Sequence, residues 1–310
     1  MALNTIALAT MFQQELDNQI VAKSTSGWME QNANNLIFTG NATVKVPKMT
    51  TDGLGNYDKS NGYASGGITT SYETFTMGQD RARKFYLDSH DVTESNFVAT
   101  ASNAMATFQR VSVIPEIDAY RYSKIATTLI AGSRASGGYT PSKADILTTL
   151  KTDINNIQDV IGIDTPLVVV MSTKTLNTLE LSSEIVRQLQ VGDFQGNNDY
   201  VTPCKFVDEC PILEVPSARL MTAYTYNDGI TVGQTQGGFV PAGTAKHINW
   251  LIMPVDAPIA IQKTDTIRIF DPSVVQNLNA WQLDYRKYHD LFIEDNKLPA
   301  MFANIEEALS

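Results

Sequence analysis

The side chains best suited to chemistry in this sequence are few and scattered. His90, His247 and His289 are its histidines. His90 lies in Asp88-Ser89-His90-Asp91, a run of donor atoms that could in principle hold a divalent metal. The run falls where an extended segment meets a helix start, and aspartate at such a junction more commonly caps the helix and stays solvated. Gly53-Leu54-Gly55-Asn56-Tyr57-Asp58 begins like a phosphate-cradling loop. It lacks the third glycine and the strand-to-helix setting that puts phosphate at a helix N-terminus. Asp193, Asn197 and Asp199 stand in the wrong order for a calcium loop. Asn41-Ala42-Thr43 matches a glycosylation acceptor, a pattern without meaning in a chain that is not exported. Glu73 and Asp80 sit on an extended segment and read as solvent-facing charges. Cys204 and Cys210 have neither the spacing of a metal knuckle nor that of a disulfide framework, so two unpaired thiols in a reducing compartment are expected. No nucleophile, base and oxyanion set emerges. The sequence therefore predicts no catalytic, cofactor-binding or metal-binding residues, and no enzyme.

The bulk properties narrow the class further. A chain of 310 residues, 43% hydrophobic and 18% charged, is globular and long enough for one large core or two ordinary ones. That charged fraction is low for the length, which suits a surface covered by partners. A net charge of −10 and a pI near 4.8 argue against a protein that grips nucleic acid phosphates. An acidic wall can still enclose DNA, because repulsion keeps a lining from adhering to its contents. Lys23 is the first basic residue, so the N-terminus lacks the positive region of an export signal. No run reaches the ~18 apolar residues of a membrane span. A soluble chain, made and assembled in the cytosol, is expected.

The elements that must position these side chains follow from periodicity. Phe12, Leu16 and Ile20 give the N-terminal segment a weak apolar stripe. From Thr39 to Met77, Val44-Lys45-Val46 alternates and glycines punctuate a polar stretch. Extended, Thr- and aromatic-rich sequence then returns from Ile68 to Phe75. This predicts two strands joined by a long tip, an arm that needs an outside partner for want of a local core. Asp91 and Glu94 have capping-box spacing, and Phe97, Ala101, Ala104, Phe108 and Val111 mark the buried face of a helix, with Gln109 outward. Pro115 opens the next helix, whose apolar face is Tyr122, Ile125, Ala126, Leu129 and Ile130, and Gly132 ends it. Thr140-Pro141 starts a third, lined by Leu147, Leu150, Ile154, Ile157 and Ile161 and stopped by Gly162. Leu167 to Met171 reads as a buried central strand, followed by helical sequence from about Thr173 to Leu189 and a polar loop from Gly192 to Asp199. Short strands broken by Pro203, Pro211 and Pro216 come next, then Ile248–Met253 and Ile259–Ile261. Trp281, Leu283 and Tyr285 alternate with polar residues in a half-buried strand that returns towards the first helices.

Several short strings share an order and spacing with the major capsid proteins of tailed bacteriophages. They are Asn56-Tyr57-Asp58, Tyr72-Glu73-Thr74-Phe75, Asp80-Arg81, Lys84-Phe85, Asp91, Glu94-Ser95-Asn96 and Pro115-Glu116-Ile117-Asp118. The sequence resembles that family from about Val44 to Arg121, and more loosely from Asn249 to Asn304. The resemblance implies an α+β, Hong Kong 97-type capsid fold. Residues 1–38 would be an N-terminal arm and 39–77 the extended β-hairpin loop. A peripheral domain would take 78–164, with a long spine helix at Val92–Val111, an axial domain 165–260, and a return to the peripheral domain 261–310. It implies a structural subunit that self-assembles as hexamers and pentamers into an icosahedral shell around double-stranded DNA. No cofactor or membrane is implied, and DNA is enclosed without sequence-specific binding. Scaffolding, portal and decoration proteins are the implied partners, and the virion, built in the host cytoplasm, the implied location. No helical scaffold segment precedes the arm, so a separate scaffolding protein or a processed N-terminus is expected. Some relatives join an extended-loop lysine to a neighbour's asparagine. Lys45, Lys48 and Lys59 are the candidates here, but no motif fixes their partners. The alternatives are an encapsulin-like compartment shell of the same fold and, from another class, a cytosolic α/β enzyme. The sparse histidines and the unsupported arm count against the enzyme.

Overall fold

The computed structural model describes residues 24–35, 37–39, 42–60, 62–88, 104–182, 190–195, 201–275 and 279–309. The stripe Phe12, Leu16 and Ile20, the Asp91–Glu94 cap, His90, Asn41, Asn197, Asp199 and the spine-helix positions before 104 lie outside these residues.

After a 3₁₀ segment at Gly27–Asn35, β1 (Ile37–Thr39), β2 (Thr43–Thr51) and β3 (Ile68–Thr76) form an antiparallel three-stranded sheet. β2 and β3 pair along their whole length, from Thr43 opposite Thr76 to Thr51 opposite Ile68. The expected hairpin arm is therefore present, with residues 52–67 as its tip. β4 (Gln79–Asp88) leaves the base of the arm for a different sheet.

Residues 104–108 are α-helical, Gln109–Val113 form a π turn, and helix α1 (Ile114–Ala131) follows without a break. The expected restart at Pro115 is thus a change of helical pitch. Proline has no N–H, and its ring would collide with the carbonyl one α-turn earlier. The wider turn, closed by the Ile114 N–H on the Gln109 carbonyl, absorbs that conflict. Met105, Gln109, Val113 and Ile117 point inward at a spacing of four, whereas Val111 is 62% exposed. The expectation of Val111 inside and Gln109 outside is reversed because the buried row starts one residue later than expected: the larger Met105 turns inward in place of the exposed Ala104, and Gln109 follows it four residues on. Phe108 keeps its inward role, edge-on to Phe85 and Tyr285.

β5 (Ala135–Gly137) precedes helix α2 (Ile146–Ile161), which buries Leu147, Leu150, Ile154 and Ile157 as its periodicity requires. The helix starts after Thr140-Pro141, at an Asp145 cap whose carboxylate is taken by the Ser142 and Tyr139 hydroxyls. Gly162 ends it with φ 85°, a conformation open to glycine. Then come β6 (Leu167–Ser172), helix α3 (Thr173–Glu180), β7 (Gln190–Gln195), β8 (Val201–Val207) and β9 (Cys210–Val215). The polar stretch expected as a loop from Gly192 begins instead as strand β7, paired to β8. β10 (Tyr224–Tyr226) and β11 (Phe239–Pro241) make a small hairpin. β12 (Ile248–Pro254), β13 (Pro258–Phe270), β14 (Ala280–Ile293) and β15 (Phe302–Ile305) complete the chain.

Two larger sheets organise these elements. One has the order β5-β15-β12-β6-β9-β8-β7, the other β13-β14-β4. β6 is buried at every position, as its unbroken apolar run demands. Its residues alternate between two cores. Val168 and Val170 meet Tyr122, Ile125 and Leu129 of α1, while Val169 and Met171 meet Leu150, Ile154 and Ile157 of α2. The seven-stranded sheet draws β5 and β15 from outside residues 165–260. Ile259–Ile261, expected to continue that unit, belongs to β13 in the other sheet. No helix among the described residues is long and apolar enough to cross a membrane.

Candidate assembly surface

The arm has two chemically different halves. At its base, Val44 and Val46 are buried, and the Phe75 ring stacks on Phe292 of β14 with centroids 4.7 Å apart. Ile259, Ile261 and Met77 close this small core. Further out, the register brings Pro47 opposite Tyr72, Met49 opposite Thr70 and Thr51 opposite Ile68, which places Pro47, Met49, Ile68 and Tyr72 on one face. Met49 is 67% exposed, Ile68 71% and Tyr72 57%. At the tip Leu54 is fully exposed, and Tyr57 and Tyr63 touch edge to face with centroids 5.2 Å apart. Among the described residues this stripe stays open to solvent.

Two buried carboxylates tie the arm and the segment before it to the body. Asp290, fully buried on β14, accepts hydrogen bonds from Gly78 N–H (2.7 Å), Tyr120 Oη (2.7 Å) and Lys124 Nζ (2.8 Å). Gly78 is the link between β3 and β4, so this one carboxylate fixes where the arm leaves the body. Asp118, fully buried on α1, accepts from Ser24 Oγ and Ser26 Oγ at 2.6 Å each, from Thr25 Oγ1 at 3.0 Å and from Arg219 at 3.3 Å. Arg121, one turn on and equally buried, donates to the Ser26 carbonyl (3.1 Å) and to Glu30 (2.5 Å). Buried charges are tolerable when paired and hydrogen-bonded in this way. Sequence reasoning placed Asp118 only within the string Pro115-Glu116-Ile117-Asp118 and gave Arg121 no role. The signal was their three-residue spacing on the face that also carries Tyr122 and Ile125.

The residues weighed for chemistry are dispersed. Gly53 and Gly55 lie on the exposed tip, far from any helix start. Lys45 and Lys48 occupy opposite faces of β2, and Lys59 is exposed at the tip. Asp80 is gripped by Arg286 through Nε (2.9 Å) and Nη2 (2.5 Å), and these hydrogen bonds hold its carboxyl below the usual range. Glu73 is half-buried on the arm, and desolvation together with nearby Asp295 raises its carboxyl above that range. Cys210 is buried, and its thiol is pushed up to about 11 by that burial and by Asp208 and Glu209, which makes it a poor nucleophile. His289 is buried on β14, edge-on to Tyr120, and its Nδ1 has no partner among the described residues. Desolvation, aided by the charges of Arg121, Lys287 and Arg81, holds it neutral, well below its ordinary value.

Beside it lies a cavity of about 340 Å³, between β4, β14, α1 and the β10–β11 hairpin. Arg81 spans this junction, donating to Glu116 (2.7 Å) and to the carbonyls of Asn227 (2.8 Å) and Gly238 (3.2 Å). Those contacts fasten the hairpin to the body. They leave Arg81 with its donors committed rather than poised over a substrate.

No protein-family model and no curated protein matches this sequence. Solved structures do match its fold. The chain is similar to one from the mature capsid of bacteriophage PhiM1, with a TM-score of 0.55 at 10% identity, over 86% of this chain and 82% of that one. It is similar to one from the capsid of the cyanophage P-SCSP1u, with a TM-score of 0.54 at 11% identity, over 88% and 85% of the two chains. A chain of Mycobacterium phage Ogopogo gives 0.52 at 8% identity, over 89% and 91%. At such identities the likeness is one of fold, and the fold is the α+β, Hong Kong 97-type.

Proposed function

We propose that this chain is the major capsid subunit of a tailed phage, a structural rather than catalytic protein. It would assemble as hexamers and pentamers into an icosahedral shell around double-stranded DNA. The observation that carries this reading is the arm, a ribbon anchored at its base and presenting Pro47, Met49, Ile68 and Tyr72 to a surface that the described residues do not supply. A neighbouring copy is the natural recipient, because subunits of a closed symmetric assembly offer every arm an identical site. On this reading residues 1–38 are the N-terminal arm and 39–77 the overlapping loop. The seven-stranded sheet forms the axial domain, and the β13-β14-β4 sheet with α1 forms the peripheral domain. Scaffolding, portal and decoration proteins are the expected partners, the virion is the destination, and the host cytoplasm the place of assembly. With a net charge of −10, the wall contains DNA without gripping it.

The test is deletion of residues 53–67, followed by sedimentation and negative-stain electron microscopy beside the intact protein. The deletion should leave the unfolding transition in place and abolish shells. Normal shells from the deletion would overturn the role of the arm. A strictly monomeric intact protein, across concentration and salt, would overturn the shell itself. Nucleic acid rather than enzyme cargo in recovered particles separates a genome container from a cellular compartment.

A further inference from the structure

We propose that His247, Glu306 and Glu307 form a binding site for one divalent transition-metal ion of the zinc class, where the C-terminal segment crosses the end of β12. The inference is independent of shell assembly, since all three residues lie within one chain. It arises from a meeting of two strand ends. Ile248 stands opposite Ile305 in the β12–β15 ladder, and just beyond it the Glu306 N–H donates to the His247 carbonyl at 2.9 Å. One donor atom from each of His247, Glu306 and Glu307 lies within 4.8 Å of the others.

One pair of the three is close to the spacing of an occupied site. His247 Nδ1 stands 2.7 Å from Glu307 Oε1. Two ligands on one tetrahedral zinc, with Zn–N and Zn–O bonds of about 2.0–2.2 Å, sit about 3.3 Å apart. The pair therefore has to open by only about 0.6 Å for the ion to replace the proton it now shares. The other Glu307 oxygen is held by the His247 backbone N–H, which fixes the orientation of the carboxylate toward the ring. Glu306 supplies the third ligand. A cavity of about 340 Å³, bordered also by the side chains of Thr175, Thr178 and Ser217, leaves room for water at the fourth position.

The segment that carries both glutamates is held in place without a metal. The His247 N–H donates to Glu307 Oε2 at 2.6 Å, and Lys246 Nζ donates to the Ala308 carbonyl at 2.8 Å. At Gly137 an added Cβ would lie 2.7 Å from the Glu307 carbonyl oxygen, so the segment packs against β5 at a distance only glycine allows. Such preorganisation lowers the entropy lost on binding. Lys174 borders the same cavity, but it is exposed and free to swing away from a cation. One imidazole with two carboxylates selects zinc, cobalt or nickel over magnesium and calcium, which favour all-oxygen shells.

The experiment is titration of the chelator-treated full chain with zinc chloride by calorimetry, with cobalt absorption spectra as a second readout. One equivalent should bind in the micromolar range, and excess magnesium or calcium should not displace it. His247→Ala should remove the binding. Glu306→Gln, which leaves the His247–Glu307 pair intact and so preserves the local fold, should weaken it by roughly tenfold or more. Binding that is absent, that magnesium displaces equally well, or that is unchanged in both variants would overturn the proposal.

Discussion

Helix α1 and the hairpin arm handle unsatisfied surface in opposite ways. α1 carries the charges of Asp118 and Arg121 into the core and surrounds them with partners from residues 24–30 and from Arg219. The arm carries apolar side chains out of the core and leaves them uncovered among the described residues. The first arrangement is complete in one molecule, so its energy goes into stability. The second is complete only when another surface arrives, so its energy goes into association. Charged groups inside and hydrophobic groups outside invert the usual rule, and each inversion marks a different task.

The sharpest way to break this contrast is Asp118→Ala. It leaves the Ser24, Thr25 and Ser26 hydroxyls without their buried acceptor and Arg219 without its partner. Stability should fall by about 3–5 kcal/mol, since each buried donor left unpaired costs about 1–3 kcal/mol. The urea midpoint of the isolated chain measures it, and an unchanged midpoint would remove the network from the account of the fold. Phe75→Ala sits at the boundary between the two regions. Its half-buried ring closes the core at the base of the arm, so a loss of about 2–3 kcal/mol is expected, at the low end for a buried phenylalanine.

His289 supplies a pH test of the body alone. Its folded form stays neutral to well below its ordinary value of 6.5, so the unfolded chain binds the extra proton. Stability should therefore be flat above 6.5. As pH falls below that value, His289 should cost about 1.4 kcal/mol per unit until the folded group itself titrates. Comparing wild type with His289→Phe in urea titrations from neutral pH downward isolates this slope. An identical slope in the variant would refute it. The smallest effect belongs to Leu54→Ser at the tip, which should alter chain stability by less than about 0.5 kcal/mol. A larger loss would mean that the tip packs on its own body.

What the sequence disclosed follows the same divide. The β6 run, the α2 stripe and the alternation around Leu283 were legible because each pattern is local and repeats with its own period. The arm was legible because two extended, alternating segments flank a long polar stretch punctuated by glycines. Three kinds of feature were not. The strands β5 and β15 are too short to show a period, and only their neighbours in the sheet define them. The inward turn of Gln109 follows from Met105, four residues before it, taking the buried row that Ala104 was expected to hold, a choice between neighbouring apolar residues that periodicity does not make. The Asp118 network and the His247–Glu306–Glu307 group depend on segments far apart in sequence, and nothing in either segment announces the other.

One pairing has a consequence in time. β4, at residues 79–88, completes its sheet only against β14, which spans residues 280–293. A ribosome adding about 5–20 residues per second needs roughly 10–40 s to make the intervening chain. Throughout that interval β4 is an open edge with the arm already attached beside it, while neighbouring ribosomes on the same message present identical edges. Long-range pairing of this kind is slow and prone to aggregation. A nascent chain therefore passes through a period in which the surfaces meant for its neighbours exist before its own fold has closed. Yield in the cell should depend on how crowded that message is, and slower initiation of translation should raise the soluble fraction.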